Sequence, residues 1–366
     1  MASIKLSLSL IGVTGLLLAG CGTTPTSAQV PSSTFATQSL AAGQYAVAEA
    51  SGRIGAWASG TLASTTPDGS SNTFSDNLQA WSQTHLGGGQ LLAPHLGAGV
   101  TVAVIDTGLD LKHPQFQGHL APAADWYDFL GADSVAQEEG DSSTEGYGHG
   151  TAVASLMLQV APHATILPLR VIAPNGTASA DTVARAIDYA VAHGADVINL
   201  SIVSGVDSTL STAIGNAAAK GIYVTMAAGN QGTNPVMYPS RFAGQNSTLG
   251  QYSLSVGSIE TSNVQSDFSN YGNQLEVLAP GRLLTTAYPN QVFAQVTGTS
   301  FASPVVAGTL ALALGEALPS RYTGLLANKL EANETNVSQY NAQYLVDGAL
   351  PYGLLNTQSF VKSVLR

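Results

Sequence analysis

Four short segments of this chain hold side chains suited to nucleophilic acyl transfer. Asp106 sits in Val104-Ile105-Asp106-Thr107-Gly108, and His149 in Gly148-His149-Gly150-Thr151-Ala152. Asn230 ends Ala227-Ala228-Gly229-Asn230, and Ser300 lies in Gly298-Thr299-Ser300-Phe301-Ala302-Ser303-Pro304. A serine hydroxyl is a weak nucleophile at neutral pH and needs a neighbouring base to take its proton. An imidazole, with an ordinary pKa of about 6.5, can be that base. A carboxylate such as Asp106 would fix the imidazole tautomer and stabilise the imidazolium that forms. A tetrahedral intermediate then needs donors at its oxyanion, and the Asn230 amide and the Ser300 backbone N–H at a helix start would supply them. Singly, each residue has a structural explanation. Asp106 would be a strand-end carboxylate, His149 and Asn230 turn residues, and Ser300 a helix N-cap.

The elements that must position these groups are readable too. Residues 100–105 form a β-branched run suited to a strand buried on both faces. Asp181 is expected to cap a helix carrying Val183, Ala184, Ile187 and Ala190, with Gly194 just past its end. A second buried strand is expected at 197–202, a helix at 208–220 and a third strand at 222–226. Residues 300–314 are small and apolar throughout, as in a helix running through a core. Alternating strands and helices with Val/Ile-rich strands predict an α/β fold, a mainly parallel central sheet with helices on both faces. Ligands of such sheets bind beyond the carboxyl ends of the strands. Asp106 and Asn230 therefore fall at one rim, and helices returning over it can bring His149 and Ser300. No internal repeat is present.

Together these residues resemble the subtilase family, the subtilisin-like serine proteases (peptidase family S8). The order Asp, His, Ser is that of subtilisin. The resemblance runs from about Gly99 to Asn356 and takes in His113-Pro114, Phe268-Ser269-Asn270-Tyr271-Gly272, Ala279-Pro280-Gly281 and Gly353-Leu354-Leu355-Asn356. It implies a serine endopeptidase acting on polypeptide substrates, with Asp106, His149 and Ser300 as the triad, Asn230 in the oxyanion hole and no cofactor needed for catalysis. It also implies that Ser201, Ile202 and Val203 pair with extended substrate by β-augmentation. Val203 stands where the family usually has glycine. Ala227, Ala228 and Gly229 correspond to the far wall of the primary specificity pocket, with Gln231 near its rim and Met237 either near its floor or pointing into the core. With no acid there, an uncharged residue before the scissile bond is expected. Phe301 stands where many relatives have methionine.

Other readings meet specific obstacles. Asp106-Thr107-Gly108 resembles an aspartic protease signature, but no second Asp-Thr-Gly or Asp-Ser-Gly exists to share a proton. An α/β-hydrolase needs its histidine after the serine, and the last histidine is His193. No His-Glu-x-x-His or cysteine cluster suits zinc hydrolysis. The alternative from another class is a catalytically inactive surface binding module. It would be expected to lack one of the four residues.

Composition narrows the setting. The chain has 366 residues, is 45% hydrophobic and only 10% charged, which suits a packed domain and not a disordered one. Its net charge of -11 disfavours nucleic acid as a partner. Between Asp106 and His149 lie Asp125, Asp128, Asp133, Glu138, Glu139, Asp141 and Glu145. A solvated acidic loop is the expected reading, and a structural calcium the alternative. Cys21 is the sole cysteine, so no intrachain disulfide can form. Residues 1–20 read as a signal peptide with an apolar stretch at 6–18. Leu18-Ala19-Gly20-Cys21 resembles the bacterial lipobox, which implies lipidation of Cys21 and membrane anchoring outside the cytoplasm. Residues 21–77 read as a low-complexity tether or propeptide remnant, with a candidate hairpin made by 45–50 and 54–58. Residues 78–366 form the expected peptidase domain, working as a monomer.

Overall fold

The computed structural model describes residues 44–47, 74–144, 146–244, 247–318, 326–345 and 348–365. Cys21 and the 54–58 segment lie outside these residues. The strands in chain order are β1 (Gln44–Val47), β2 (Thr101–Asp106), β3 (Tyr127–Asp128), β4 (Thr165–Arg170), β5 (Thr177–Ser179), β6 (Val197–Leu200), β7 (Ile202–Ser204), β8 (Tyr223–Ala227), β9 (Ser253–Ile259), β10 (Val277–Pro280), β11 (Leu284–Tyr288), β12 (Val292–Val296) and β13 (Gly353–Leu354). The helices are α1 (Leu78–Gln83), α2 (Leu86–Leu92), α3 (His149–Val160), α4 (Ala180–Ala192), α5 (Ser208–Ala219), α6 (Thr248–Gln251), α7 (Thr299–Leu314), α8 (Leu326–Glu331) and α9 (Thr357–Leu365).

Eight strands form the central sheet in the order β13-β10-β9-β8-β6-β2-β4-β3. Every ladder in it is parallel. Successive side chains of a strand face opposite ways, and β2 is apolar on both faces. Val102 and Val104 join one core with Ala152, Leu156, Val305 and Leu310 of α3 and α7. Ala103 and Ile105 join the other with Val183, Ile187, Leu210 and Ile214 of α4 and α5. Helices thus cover both faces. α7 is buried from Thr299 to Ala313, as its small apolar sequence predicts. No described helix is long and apolar enough to cross a membrane.

Several local expectations are corrected. Ser179, not Asp181, caps α4: its Oγ accepts from the Thr182 N–H at 3.1 Å, and Asp181 pairs with Arg185 in the first turn. The run 197–202 breaks at Ser201. β6 stays in the central sheet, while β7 leaves to join a three-stranded sheet of order β5-β1-β7. In that sheet Tyr45 is opposite both Ala178 and Ser204, and Ala46 opposite both Thr177 and Val203. Both edges of β1 are therefore taken, while residues 48–50 and 54–58 of the candidate hairpin lie outside the described residues. Packing of the domain begins ahead of residue 78. Phe74 is fully buried against Phe293, and Asn77 donates to Gln159 Oε1 and to the Thr285 carbonyl.

The acidic loop is not simply solvated. Asp128 and Glu138 are buried, while Asp133 and Asp141 are exposed and Glu145 lies outside the described residues. A buried charge must be paired. Arg170, itself buried, donates to Asp128 Oδ2 at 2.6 Å and to Glu139 Oε2 at 2.7 Å. Among the described residues no group of three or more His, Cys, Asp or Glu side chains is set to hold a metal ion. Asp128 and Glu139 are thus committed to Arg170.

Candidate active site

Asp106 is the last residue of β2 and His149 the first of α3. Their approach depends on Gly150. A Cβ there would collide with the Gly108 carbonyl oxygen, so only glycine lets the start of α3 press onto the Asp106-Thr107-Gly108 turn. The Gly150 N–H also donates to Thr107 Oγ1 at 2.9 Å. Asp106 Oδ1 accepts from the Thr107 N–H at 2.8 Å and lies 2.7 Å from His149 Nδ1. Both side chains are at most 1% exposed. Since a carboxylate only accepts, it holds a proton on Nδ1 and leaves the basic lone pair on Nε2. The His149 ring lies 5.3 Å from that of Phe301, beside the residue that follows Ser300.

Ser300 is the second residue of α7. Pro304 has no N–H, so the Ser300 carbonyl loses its helical donor. The Ser201 hydroxyl takes that place, donating to the Ser300 oxygen at 2.7 Å. In return, Ser300 Oγ lies 3.2 Å from the Ser201 carbonyl oxygen. Asn199 supports this pair from below. Its Nδ2 donates to Ser201 Oγ at 2.9 Å, and its Oδ1 accepts from Ser303 and Thr225.

Asn230 follows β8 by way of Ala228 and Gly229. Its Oδ1 accepts from both the backbone N–H and the hydroxyl of Thr299, each at 2.9 Å. A backbone N–H can only donate, so this contact fixes which end of the amide faces Thr299. Asn230 Nδ2 is left buried with no protein acceptor. An unmade buried hydrogen bond is unfavourable by about 1–3 kcal/mol. Through Thr299, the residue before Ser300, this donor is tied to the start of α7. Asn270 braces the same loop: its Oδ1 accepts from the N–H groups of Gln231 and Thr233, and its Nδ2 donates to the Ala228 carbonyl.

The residues expected to line the cleft divide into two kinds. Ser201 belongs to the network under Ser300. The Ile202 side chain is buried in the core with α4 and α5, so only its backbone faces β1. Val203, Ala227 and Met237 form a small apolar cluster apart from both cores. The Met237 N–H donates to the Ala228 carbonyl at 2.9 Å, and the Gly229 N–H donates to Thr299 Oγ1 at 3.1 Å. Gln231 is exposed, with its Oε1 held by Asn270. His113, buried between Phe116 and Phe293, has a pKa pushed down by burial and serves packing.

Sequence reasoning passed over Thr299, Asn199 and Ser303. Asn199 did carry a signal: it is the one polar residue within the apolar strand Val197-Ile198-Asn199-Leu200.

Comparisons with known proteins agree with this architecture. Subtilisin Savinase from Lederbergia lenta is 32% identical over 255 residues, which cover 67% of this chain and 87% of that protein. An alkaline protease from Alkalihalobacillus alcalophilus is also 32% identical over 255 residues, but there the chain spans only 61% of its relative's length. A cold-adapted subtilisin-like serine proteinase of known crystal structure superimposes with a TM-score of 0.59 at 28% identity, covering 71% of this chain and 89% of that one. Residues 97–346 match the subtilase family (Peptidase_S8). The chain therefore belongs to the subtilase family of subtilisin-like serine peptidases.

Proposed function

We propose that this protein is a serine endopeptidase of the cell envelope, held to a membrane through lipidated Cys21 and acting on polypeptides as a monomer. Ser300 is the nucleophile, His149 its base, Asp106 the group that orients His149, and Asn230 the side-chain donor to the oxyanion. The observation that carries this reading is the buried 2.7 Å contact between Asp106 Oδ1 and His149 Nδ1. In the reaction Ser300 Oγ attacks the scissile carbonyl as its proton passes to His149. Asn230 Nδ2 and the Ser300 N–H stabilise the oxygen that becomes negative. The acyl-enzyme is then hydrolysed by water, with His149 again moving the proton. No cofactor enters these steps.

Polypeptide recognition is supported by the pairing of β1. An extended segment lies antiparallel between Thr177–Ser179 and Ile202–Ser204, the geometry an extended substrate needs. Val203, Ala227 and Met237 offer an apolar, uncharged lining for the residue before the scissile bond. Ser300→Ala and wild type, compared for casein hydrolysis and for labelling by a fluorophosphonate, test the chemistry. Labelling of Ser300 in wild type alone is expected, and its absence in fully processed protein favours an inactive binding module. Cleavage sites in denatured casein are expected to follow uncharged residues, and a majority of Arg/Lys sites refutes that preference. Mass spectrometry of the mature N-terminus tests lipidation at Cys21.

A further inference from the structure

Glu138 is a carboxyl with no assigned task, and it lies 6% exposed behind the Asp106–His149 pair. Its segment is bonded to the turn after Asp106. The Leu109 N–H donates to the Ala136 carbonyl at 3.0 Å, and the Glu138 N–H donates to the Leu109 carbonyl at 2.8 Å. Gly108, at φ +97°, makes this approach feasible: a Cβ there would stand 2.9 Å from the carbonyl oxygens of Ala136 and Gln137. On the other side, Thr151 of α3 donates from Oγ1 to Glu138 Oε2 at 2.9 Å and accepts from the Asp110 N–H at 2.8 Å. One side chain thus ties the turn carrying Asp106 to the first helical turn of His149. Asp106 Oδ2 is likewise buried and has no hydrogen-bond partner.

A tether alone would be served by an amide. A carboxylate so placed brings a charge with no adjacent cation, since Arg170 is engaged by Asp128 and Glu139. The titratable groups around it are Asp106 on β2, Asp110 in the following turn with His113 beyond, Tyr147 just ahead of α3, and, through its bond to Asp106, His149 at the start of α3. Among these, the imidazole is the one that becomes positive during acyl transfer. We propose that Glu138 is a positioning residue for the proteolytic reaction: it locks the Asp106 turn to α3 through Thr151, and its negative charge favours the imidazolium of His149. This rests on the triad reading above. Burial pushes the Glu138 pKa up to about 7, with the Asp106 charge adding to that and donors on Thr107, Thr151 and Gly148 opposing it. The charge is therefore present above neutrality and lost below it, across the range in which an imidazole works.

The test is the pH dependence of fluorophosphonate labelling of Ser300 in wild type, Glu138→Gln and Glu138→Asp. The Gln side chain still accepts from Thr151 but carries no charge, so the imidazole releases its proton more readily. Because Glu138 is itself partly protonated over that range, the acid limb of Glu138→Gln is expected to move down by a fraction of one pH unit. Labelling on its plateau slows by roughly tenfold. Glu138→Asp keeps the limb at the wild-type position while reacting more slowly. Superimposable limbs for Glu138→Gln and wild type overturn the proposal, whatever the plateau. Wild type that does not label at all overturns the triad reading and this proposal with it, so the two failures are distinct. Should Glu138→Gln fail to fold, NMR titration of the His149 ring in Ser300→Ala protein decides. Two inflections, its own and that of Glu138, are expected, and a single one overturns the coupling.

Discussion

Thr299 grips Asn230 twice, donating to its Oδ1 from the backbone and from the hydroxyl, both at 2.9 Å. This grip turns Asn230 Nδ2 away from Thr299 and leaves it as the buried donor without an acceptor. If Asn230 donates to the oxyanion, Asn230→Ala is expected to lower kcat by ~10²–10³, the loss typical of removing one oxyanion donor, with little change in KM. Thr299→Val keeps the backbone contact and removes only the hydroxyl, so about a tenfold loss is expected. Steady-state kinetics on a peptide ester or anilide measure both. A fall in Asn230→Ala that appears in KM instead would mean that the amide binds substrate and transition state alike.

Ser201 replaces the helical donor that Pro304 cannot supply to the Ser300 carbonyl. Ser201→Ala leaves that carbonyl and Asn199 Nδ2 without this partner in the interior. Each buried unmade bond is unfavourable by about 1–3 kcal/mol. At roughly 2–4 °C per kcal/mol for a large domain, a fall in Tm of at least about 4 °C is expected. Calorimetry in a Ser300→Ala background, free of self-digestion, reads it directly. An unchanged Tm would mean that water reaches the carbonyl in place of the hydroxyl.

Much of this site was legible because its residues sit at element ends that follow from patterning. Val102 and Val104 against Ala103 and Ile105 already read as a strand buried on both faces, and that put Asp106 at the rim. What was not legible depended on contacts distant in sequence. Glu138 reads as one more acid in a polar loop. Its burial is decided by Thr151 and by its N–H bond to the Leu109 carbonyl, neither of which the loop itself announces. Ser179 and Asp181 are both good caps two residues apart, and the extended backbone at Ser179 decides between them. The break at Ser201 is hidden because Ile202 and Val203 prolong an apolar run with no turn residue between them. Only the partner strands β1 and β8 show where the run changes sheets.

Phe301 is 1% exposed and packs against the His149 ring. A methionine here would lie beside the nucleophile and gain a polar sulfoxide oxygen in peroxide, inside a packed site. Phenylalanine has no such reaction. Wild type is expected to keep most of its activity under peroxide concentrations that strongly inactivate Phe301→Met. Equal rates of inactivation for the two proteins would place the sensitive group elsewhere, among the chain's own methionines.

Glu276, Glu331 and Glu334 gather where β10 and β13 meet α8. Glu276 accepts from the Ser255 N–H at 2.9 Å and Glu334 from the Gly353 N–H at 2.6 Å. Burial raises the pKa of all three above the ordinary 4.5, and like charge adds to the rise at Glu276 and Glu334. A carboxyl that binds its proton more tightly when folded favours the folded state below its unfolded pKa. That advantage is lost as pH rises through the folded value. The ionised cluster therefore destabilises the domain on the alkaline side. Glu334→Gln keeps an acceptor for Gly353 and adds no charge at any pH. It is expected to raise Tm at about pH 8 and to leave it nearly unchanged at about pH 4, where all three groups are protonated. It also lowers the proton affinity of Glu276 by removing a like charge. Thermal unfolding of Ser300→Ala protein with and without Glu334→Gln, across that pH range, measures the difference. A gain in Tm independent of pH would assign the effect to packing around Gly353 and not to charge.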